Sequence, residues 1–242
     1  MTHFTILIPS YNNIKWIYRT LYSALYQRYN NFDVIYLDDM SDDGTYEYVV
    51  DNFKNFKNLS IVRNNERKLA VKNIYDGVRL VKDDSVVIIL DGDDQLKNDG
   101  VLYYLSNVYK DVNIWMTYGS FEIKGKKSHF LRSHTKEEIE SNSFRDVPWV
   151  ASHLRTFRKE LYLKIDEEDL KDENGDFYKI TGDLAIQYPM LEMAGHHSLY
   201  IPHVLYIYNN DNPISDDKQR ELQLKMEKEI RGKKKYNKIE SL

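Results

Sequence analysis

Val86-Val87-Ile88-Ile89-Leu90-Asp91-Gly92-Asp93-Asp94 is the stretch that decides the fold: five consecutive apolar residues, then a tetrad with three carboxylates around one glycine. An apolar run this short and this rich in β-branched side chains predicts a strand covered on both faces, as in the interior of a parallel sheet. In open parallel sheets, ligands sit beyond the carboxyl ends of the strands. The acidic tetrad is therefore expected on a binding edge.

Working outward, Phe4-Thr5-Ile6-Leu7-Ile8, Val34-Ile35-Tyr36-Leu37 and Leu59-Ser60-Ile61-Val62 read as three more strands. Helical spacing lies between them: Ile14, Ile17, Leu21 and Leu25, then Thr45 to Phe53, then Val71, Ile74, Val78 and Val81. A helix over about residues 100–109 and a strand around Ile114-Trp115-Met116-Thr117 extend the series. Strand–helix alternation of this kind predicts an α/β fold, with a mostly parallel central sheet flanked by helices. After Tyr118 the rhythm changes. Residues 121–146 read as polar and irregular, a candidate mobile lid rich in cations: Lys124, Lys126, Lys127, His129 and Arg132. A strand–helix stretch is expected around Leu154 to Leu163, a helix from Leu184 to Met193 despite Pro189, and a strand from Leu199 to Tyr208. The division expected is residues 1–120 as the donor-binding half and 121–212 as the acceptor and catalytic half of one compact domain. Residues 213–242 would be a charged helix or tail, with Leu222, Met226 and Ile230 on a narrow exposed stripe suited to self-association. The Gly232-Lys233-Lys234-Lys235 end reads as a solvated tail.

Composition narrows the class. The 242 residues are 42% hydrophobic and carry a net charge of −4, ordinary for a soluble protein and without the basic excess of a nucleic-acid binder. There is no cysteine, so disulfides and thiolate metal sites are excluded, and the cytoplasm or another reducing compartment is expected. The opening residues lack the basic and apolar regions of a signal peptide, and no stretch of about eighteen apolar residues predicts a membrane span. A soluble protein, at most peripheral to a membrane, is expected.

Two other strand ends carry polar turns: Pro9-Ser10-Tyr11-Asn12 after the first, and Asp38-Asp39-Met40-Ser41-Asp42-Asp43-Gly44-Thr45 after the second. No glycine-rich phosphate loop is present, so neither a dinucleotide fingerprint nor a P-loop is available. Carboxylates handle phosphate only through a cation, and Mg²⁺ or Mn²⁺ typically sits between one or two carboxylates and substrate phosphates. Asp91 and Asp93, two apart, would face one ion, with Asp94 redirected by the turn.

The runs TILIPSYNN (5–13), YLDDMSDDGT (36–45) and ILDGDD (89–94), in that order, resemble the family 2 glycosyltransferases of GT-A fold. The resemblance covers the first 120 residues well and continues loosely through Thr181-Gly182-Asp183 and Leu205-Tyr206-Ile207-Tyr208. It implies an inverting, metal-dependent transfer from a nucleotide-sugar, a UDP-sugar by its base contacts, to a hydroxyl on a glycan, lipid-linked sugar or protein. On this resemblance Pro9, Tyr11 and Asn12 line the base, and Asp39 accepts from a uracil-type edge. Asp91, Asp93 and Asp94 match the DXD element, with the ribose and the metal (Mn²⁺ or Mg²⁺) divided between them; the division stays open. The family's Arg-Asn is here Lys72-Asn73, so Lys72 or Arg67 would meet the diphosphate. Asp183 stands where the family places its general base, often as Glu-Asp. His203 is a candidate third metal ligand, and Trp149 and His153, with Arg155 beside them, are candidates for the acceptor cleft. A nucleotidyltransferase or a catalytically silent nucleotide-sugar-binding module are the alternatives.

Overall fold

The computed structural model describes residues 1–214 and 219–242. Nine strands form one sheet: β1 (His3–Ser10), β2 (Phe32–Asp38), β3 (Leu59–Arg63), β4 (Ser85–Ile89), β5 (Gln95–Leu96), β6 (Met116–Ile123), β7 (Lys126–Lys127), β8 (Arg155–Arg158) and β9 (Ser198–Ile207). The helices are α1 (Ile17–Leu25), α2 (Thr45–Phe53), α3 (Leu69–Leu80), α4 (Val101–Val108), α5 (Lys136–Glu140), α6 (Lys159–Tyr162), α7 (Gly182–Ala194) and α8 (Arg220–Gly232). The strand order is β3-β2-β1-β4-β8-β6-β9-β5, with β7 hairpinned onto β6. β3, β2, β1, β4, β6 and β9 run one way, while β8, β5 and β7 oppose them. The expected parallel block is therefore present, and the second half of the chain completes the same sheet.

The period of two along the strands divides the core. Phe4, Ile6 and Ile8 of β1, with Val86 and Ile88 of β4, face α1, α2 and α4. Leu7, Val87 and Ile89 face α3, α6 and α7 on the other side. Because both faces are covered, β4 is buried at every residue, as its composition predicts.

Several boundaries differ from expectation. Ile14 precedes α1 and is exposed, because Asn13 accepts the first helical N–H groups and the turn occupies residues 11–16. The 121–146 stretch is not irregular throughout: β6 runs to Ile123, β7 follows, and α5 begins with a reciprocal capping box between Thr135 and Glu138.

The C-terminal expectation is also corrected. Residues 215–218 lie outside the described part, but α8 does not offer its stripe to solvent: Met226 and Ile230 are only 6% and 1% exposed and join the core beside α7. Arg145 explains the docking. Its guanidinium binds the Glu192 carboxylate in a fork at 2.5 and 2.9 Å, both groups buried, and donates to the Ile230 carbonyl at 2.7 Å. Glu192 also accepts from the Tyr236 backbone N–H. Lys233 and Lys235 cap carbonyls of residues 168, 171 and 142 rather than trailing in water.

Candidate active site

At the carboxyl edge of β1, β2 and β4 lies a cavity of about 560 Å³, closed by the start of α3, the start of α7 and the segment after β9. The acidic tetrad forms its floor. Gly92 is required there, since a Cβ would sit 2.6 Å from both Cβ and Oγ of Ser10. That contact brings the turn of β4 against the turn of β1. Thr20 Oγ1 and Arg19 donate to the carbonyls of Gly92 and Asp93, so α1 fixes the same turn from below.

The three carboxylates are treated differently. Asp91 accepts from Arg155 at 3.0 Å and from Tyr206 Oη at 3.3 Å. Asp93 accepts from the Asn212 amide at 2.8 Å; burial, and then the neighbouring Asp91 charge, push its pKa up to about 6 against the pull of that amide. Asp94 is 1% exposed and has both oxygens engaged, by Tyr206 Oη and by the Asn209 backbone N–H, each at 2.6 Å. Burial and the charges of Asp93 and Asp91 raise Asp94 well above the carboxylate range. Through these two bonds it anchors the end of β9 from the cavity floor.

Among the described residues, no three His, Cys, Asp or Glu side chains are placed to hold a metal by themselves. Mg²⁺ and Mn²⁺ need only one or two carboxylates when phosphates and water complete the shell. Asp93 and Asp91, side by side on one cavity floor, fit that pattern: a cation would relieve the repulsion that raises Asp93.

At the opposite end, Pro9, Tyr11, Asp39 and Arg67 line the wall. Arg67 stacks on the Tyr11 ring, 3.1 Å from its centroid, and lies 3.3 Å from Asp39. Asp39 accepts from the backbone N–H groups of Lys68 and Leu69 and from the Asn64 amide. Burial opposes its ionisation, but these donors win and hold it below the usual carboxylate value. It is an ionised acceptor beside a flat cation–aromatic pair. Leu69, at φ 63°, and Thr181, at φ 62°, both border the cavity in left-handed conformations that non-glycine residues seldom adopt.

Asp183 enters from the first turn of α7, and Gly182 before it packs onto α3: a Cβ there would lie 2.3 Å from Val71. Glycine is needed at 182 because the helix start is wedged against Val71. Burial raises the Asp183 pKa, while the charge of Arg155 draws it back. His153 stacks on Tyr206 at 4.5 Å, and its Nδ1 accepts from the Arg155 guanidinium at 3.2 Å; burial, then that cation, keep the imidazole neutral.

Pro9, Tyr11, Asp39, Arg67, Asp91, Asp93, Asp94, His153, Arg155 and Asp183 are thus brought to one cavity. Four expected residues are not. Asn12 pairs with Asp42 and Ser41 in the turn behind it. Lys72 is held by Asp76 at 2.5 Å, one helical turn on. His203, the expected third ligand, is exposed on β9 outside the cavity and faces Tyr104 at 3.2 Å. Trp149 packs edge-on against Tyr188, 5.2 Å away, as a structural residue. Asn13, Tyr206 and Asn212 join the site without a sequence motif of their own to mark them. The nearest signal for the last is the Asn209-Asn210-Asp211-Asn212 turn after β9, a polar strand end like the other three.

The sheet and its flanking helices form a GT-A-type fold. Residues 5–168 match the family described as Glycosyl transferase family 2, and the chain belongs to that family. It is 26% identical over 220 residues to the poly(ribitol-phosphate) beta-N-acetylglucosaminyltransferase TarP of Staphylococcus aureus strain N315, covering 87% of this chain and 64% of that protein. The fold is similar to that of S. aureus TarS 1–349 in complex with UDP-GlcNAc, with a TM-score of 0.67 and 16% identity, over 89% of this chain and 61% of that one. It is also similar to mannosyltransferase PcManGT from Pyrobaculum calidifontis in complex with GDP-Man and Mn²⁺, with a TM-score of 0.64 and 17% identity, over 97% and 66%. The chain thus spans somewhat less than two thirds of the length of TarP and of that TarS fragment.

Proposed function

We propose that this cavity binds a UDP-sugar together with Mn²⁺ or Mg²⁺ and transfers the sugar, with inversion, to an acceptor hydroxyl on a glycan, lipid-linked sugar or protein. The observation that carries the reading is the convergence, in one cavity, of an ionised base-edge acceptor (Asp39), a crowded carboxylate floor (Asp91, Asp93) and a buried carboxylate with a raised pKa on a helix start (Asp183). Tyr11 and Arg67 form the flat wall on which a pyrimidine ring stacks, and Asp39 accepts from its N–H. Asp93 and Asp91 hold the cation, which when bound supplies charge stabilisation to the leaving diphosphate.

Asp183 accepts the acceptor's hydroxyl proton as that oxygen bonds to the anomeric carbon. The bond to the diphosphate breaks in the same displacement, and the electron pair leaves with the phosphate. A general base works best with a pKa lifted toward neutrality, which is the direction burial gives Asp183. Arg155, within reach of both Asp91 and Asp183, sets the balance between them.

The test measures turnover of a panel of UDP- and GDP-sugars with Mn²⁺, with Mg²⁺ and with chelator. A UDP-sugar turned over only with a cation is expected. The Asp183→Asn variant should lose roughly a hundred-fold or more in transfer while still binding UDP, as removal of a general base commonly does. Failure of every donor to bind would refute the reading.

A further inference from the structure

A second groove, of about 530 Å³, lies beneath the β6–β7 hairpin. Its floor is apolar: Phe121, Ile123 and Phe130, the last 59% exposed. Its rim is basic, formed by Lys124, Lys126 and Lys127. The hairpin is braced rather than loose. The Ser128 N–H donates to the Phe121 carbonyl at 2.9 Å, and Lys127 Nζ donates to the Pro202 carbonyl at 2.5 Å.

Three features point to an occupant. The first is charge. Lys124 is paired with Asp211 at 2.8 Å, and Glu122, the acid nearest in sequence, is taken by Lys97. Among the described residues Lys126 has no acidic partner, and Lys127 is met only by a carbonyl, so the rim presents net positive charge that a phosphate complements. The second is the floor. It offers aromatic and aliphatic carbon with almost nothing to satisfy hydroxyl groups, so a polyol laid there would lose hydrogen bonds to water that a hydrocarbon never had. The third is continuity. Phe121 meets Phe130 edge-on at 6.1 Å on the groove side, and lies 5.7 Å from the His153 ring and 5.5 Å from the Tyr208 ring on the other. Both of those residues line the active cavity. One aromatic ring separates the two spaces.

We propose that the hairpin groove is the acceptor's anchoring subsite, and that the acceptor is lipid-linked: its hydrocarbon lies on Phe121, Ile123 and Phe130, and its phosphate sits at Lys126 and Lys127. The sugar beyond that phosphate then reaches past Phe121 into the active cavity. This rests on the transferase reading, and among its acceptors the apolar floor disfavours a hydroxyl-rich glycan.

The experiment titrates the whole protein, without donor, by calorimetry with farnesyl phosphate, farnesol and ribitol 5-phosphate, and by co-sedimentation with phosphatidylcholine vesicles containing phosphatidylglycerol. Saturable binding of farnesyl phosphate is expected, with farnesol and ribitol 5-phosphate each weaker by roughly ten-fold or more. Phe130→Asp, and separately Lys126→Glu with Lys127→Glu, should weaken farnesyl phosphate by a similar factor. All three positions are exposed, and an unchanged thermal shift with UDP would confirm folded variants. Ribitol 5-phosphate binding as well as farnesyl phosphate overturns the proposal in favour of a polyol-phosphate acceptor. Sedimentation with vesicles without response to farnesyl phosphate overturns it in favour of a membrane-surface contact. Indifference of binding to the hairpin variants removes the groove altogether. A protein that binds farnesyl phosphate but no nucleotide-sugar would instead refute the transferase reading and leave the groove standing.

Discussion

At the scale of single residues, the acidic tetrad shows how one motif carries unlike roles. Asp93 is held in the cavity at the cost of ionisation, with its pKa raised to about 6 by burial and then by the Asp91 charge. A carboxyl group whose folded value is raised destabilises the protein above that pH, because the folded state must ionise it against resistance. Asp93→Asn should therefore raise the melting temperature of the metal-free protein at pH 7.5, by about 2–4 °C if the relief is near 1 kcal/mol. The gain should shrink as pH falls through about 6 and vanish near pH 3.5, below the unfolded value of 3.8, where both states are protonated. The same variant should lose the Mn²⁺-dependent part of UDP binding. Differential scanning at the two pH values, with and without UDP and Mn²⁺, checks both signs. Asp94 was legible as acidic and as part of the motif. That Tyr206 and Asn209 would consume both its oxygens was not, because those partners lie more than a hundred residues further along the chain.

Elements are positioned by a few polar clasps. Glu138 completes the cap of α5 and takes a bidentate bond from Arg132 at 2.6 and 2.8 Å; that guanidinium, helped by the Thr135 N–H, holds its pKa down at about 2. A depressed carboxylate contributes stability above its unfolded value, near 4.5, and that contribution is lost as pH falls through about 2. The difference in melting temperature between the native protein and Glu138→Gln should therefore be largest at neutral pH and shrink steadily between pH 4.5 and 2. Arg145 is the stronger clasp, joining the loop after α5 to α7 and α8. Arg145→Ala would leave Glu192 charged and unpaired in the core, a loss of about 3–5 kcal/mol. Replacing both members with apolar residues, Arg145→Met with Glu192→Leu, should recover most of it. Urea denaturation of the three proteins gives the comparison. Neither clasp stands out in the sequence, where both arginines sit in polar stretches that read as solvated.

On the scale of the whole molecule, the second half of the chain is not an appendage. β8 inserts between β4 and β6, and α8 covers the face that α7 leaves open. Leu222, Gln219 and Gln223, at the start of α8, also border the active cavity. Removing residues 220–242 should therefore expose the α7 face, give a protein that binds hydrophobic dyes and lacks a cooperative thermal transition, and abolish the UDP-induced shift. A truncated protein that melts sharply and binds UDP would show that α8 is dispensable.

The sequence by itself determined the α/β alternation, the buried β4 strand and the three polar turns on one edge. Each of these is a local signal: a period of two or 3.6, or a turn residue next to a strand. It also marked Asp183 and Arg67, though only through resemblance. Tertiary structure decided which carboxylate oxygens are already engaged, that Lys72, Trp149 and His203 stand apart from the cavity, that Asn13 and Asn212 belong to it, and that the amphipathic C-terminal helix packs on its own core. Those outcomes depend on partners distant along the chain. An apolar stripe has the same pattern whether it meets another subunit or its own α7, and a carboxylate the same letter whether its oxygens are free or already taken.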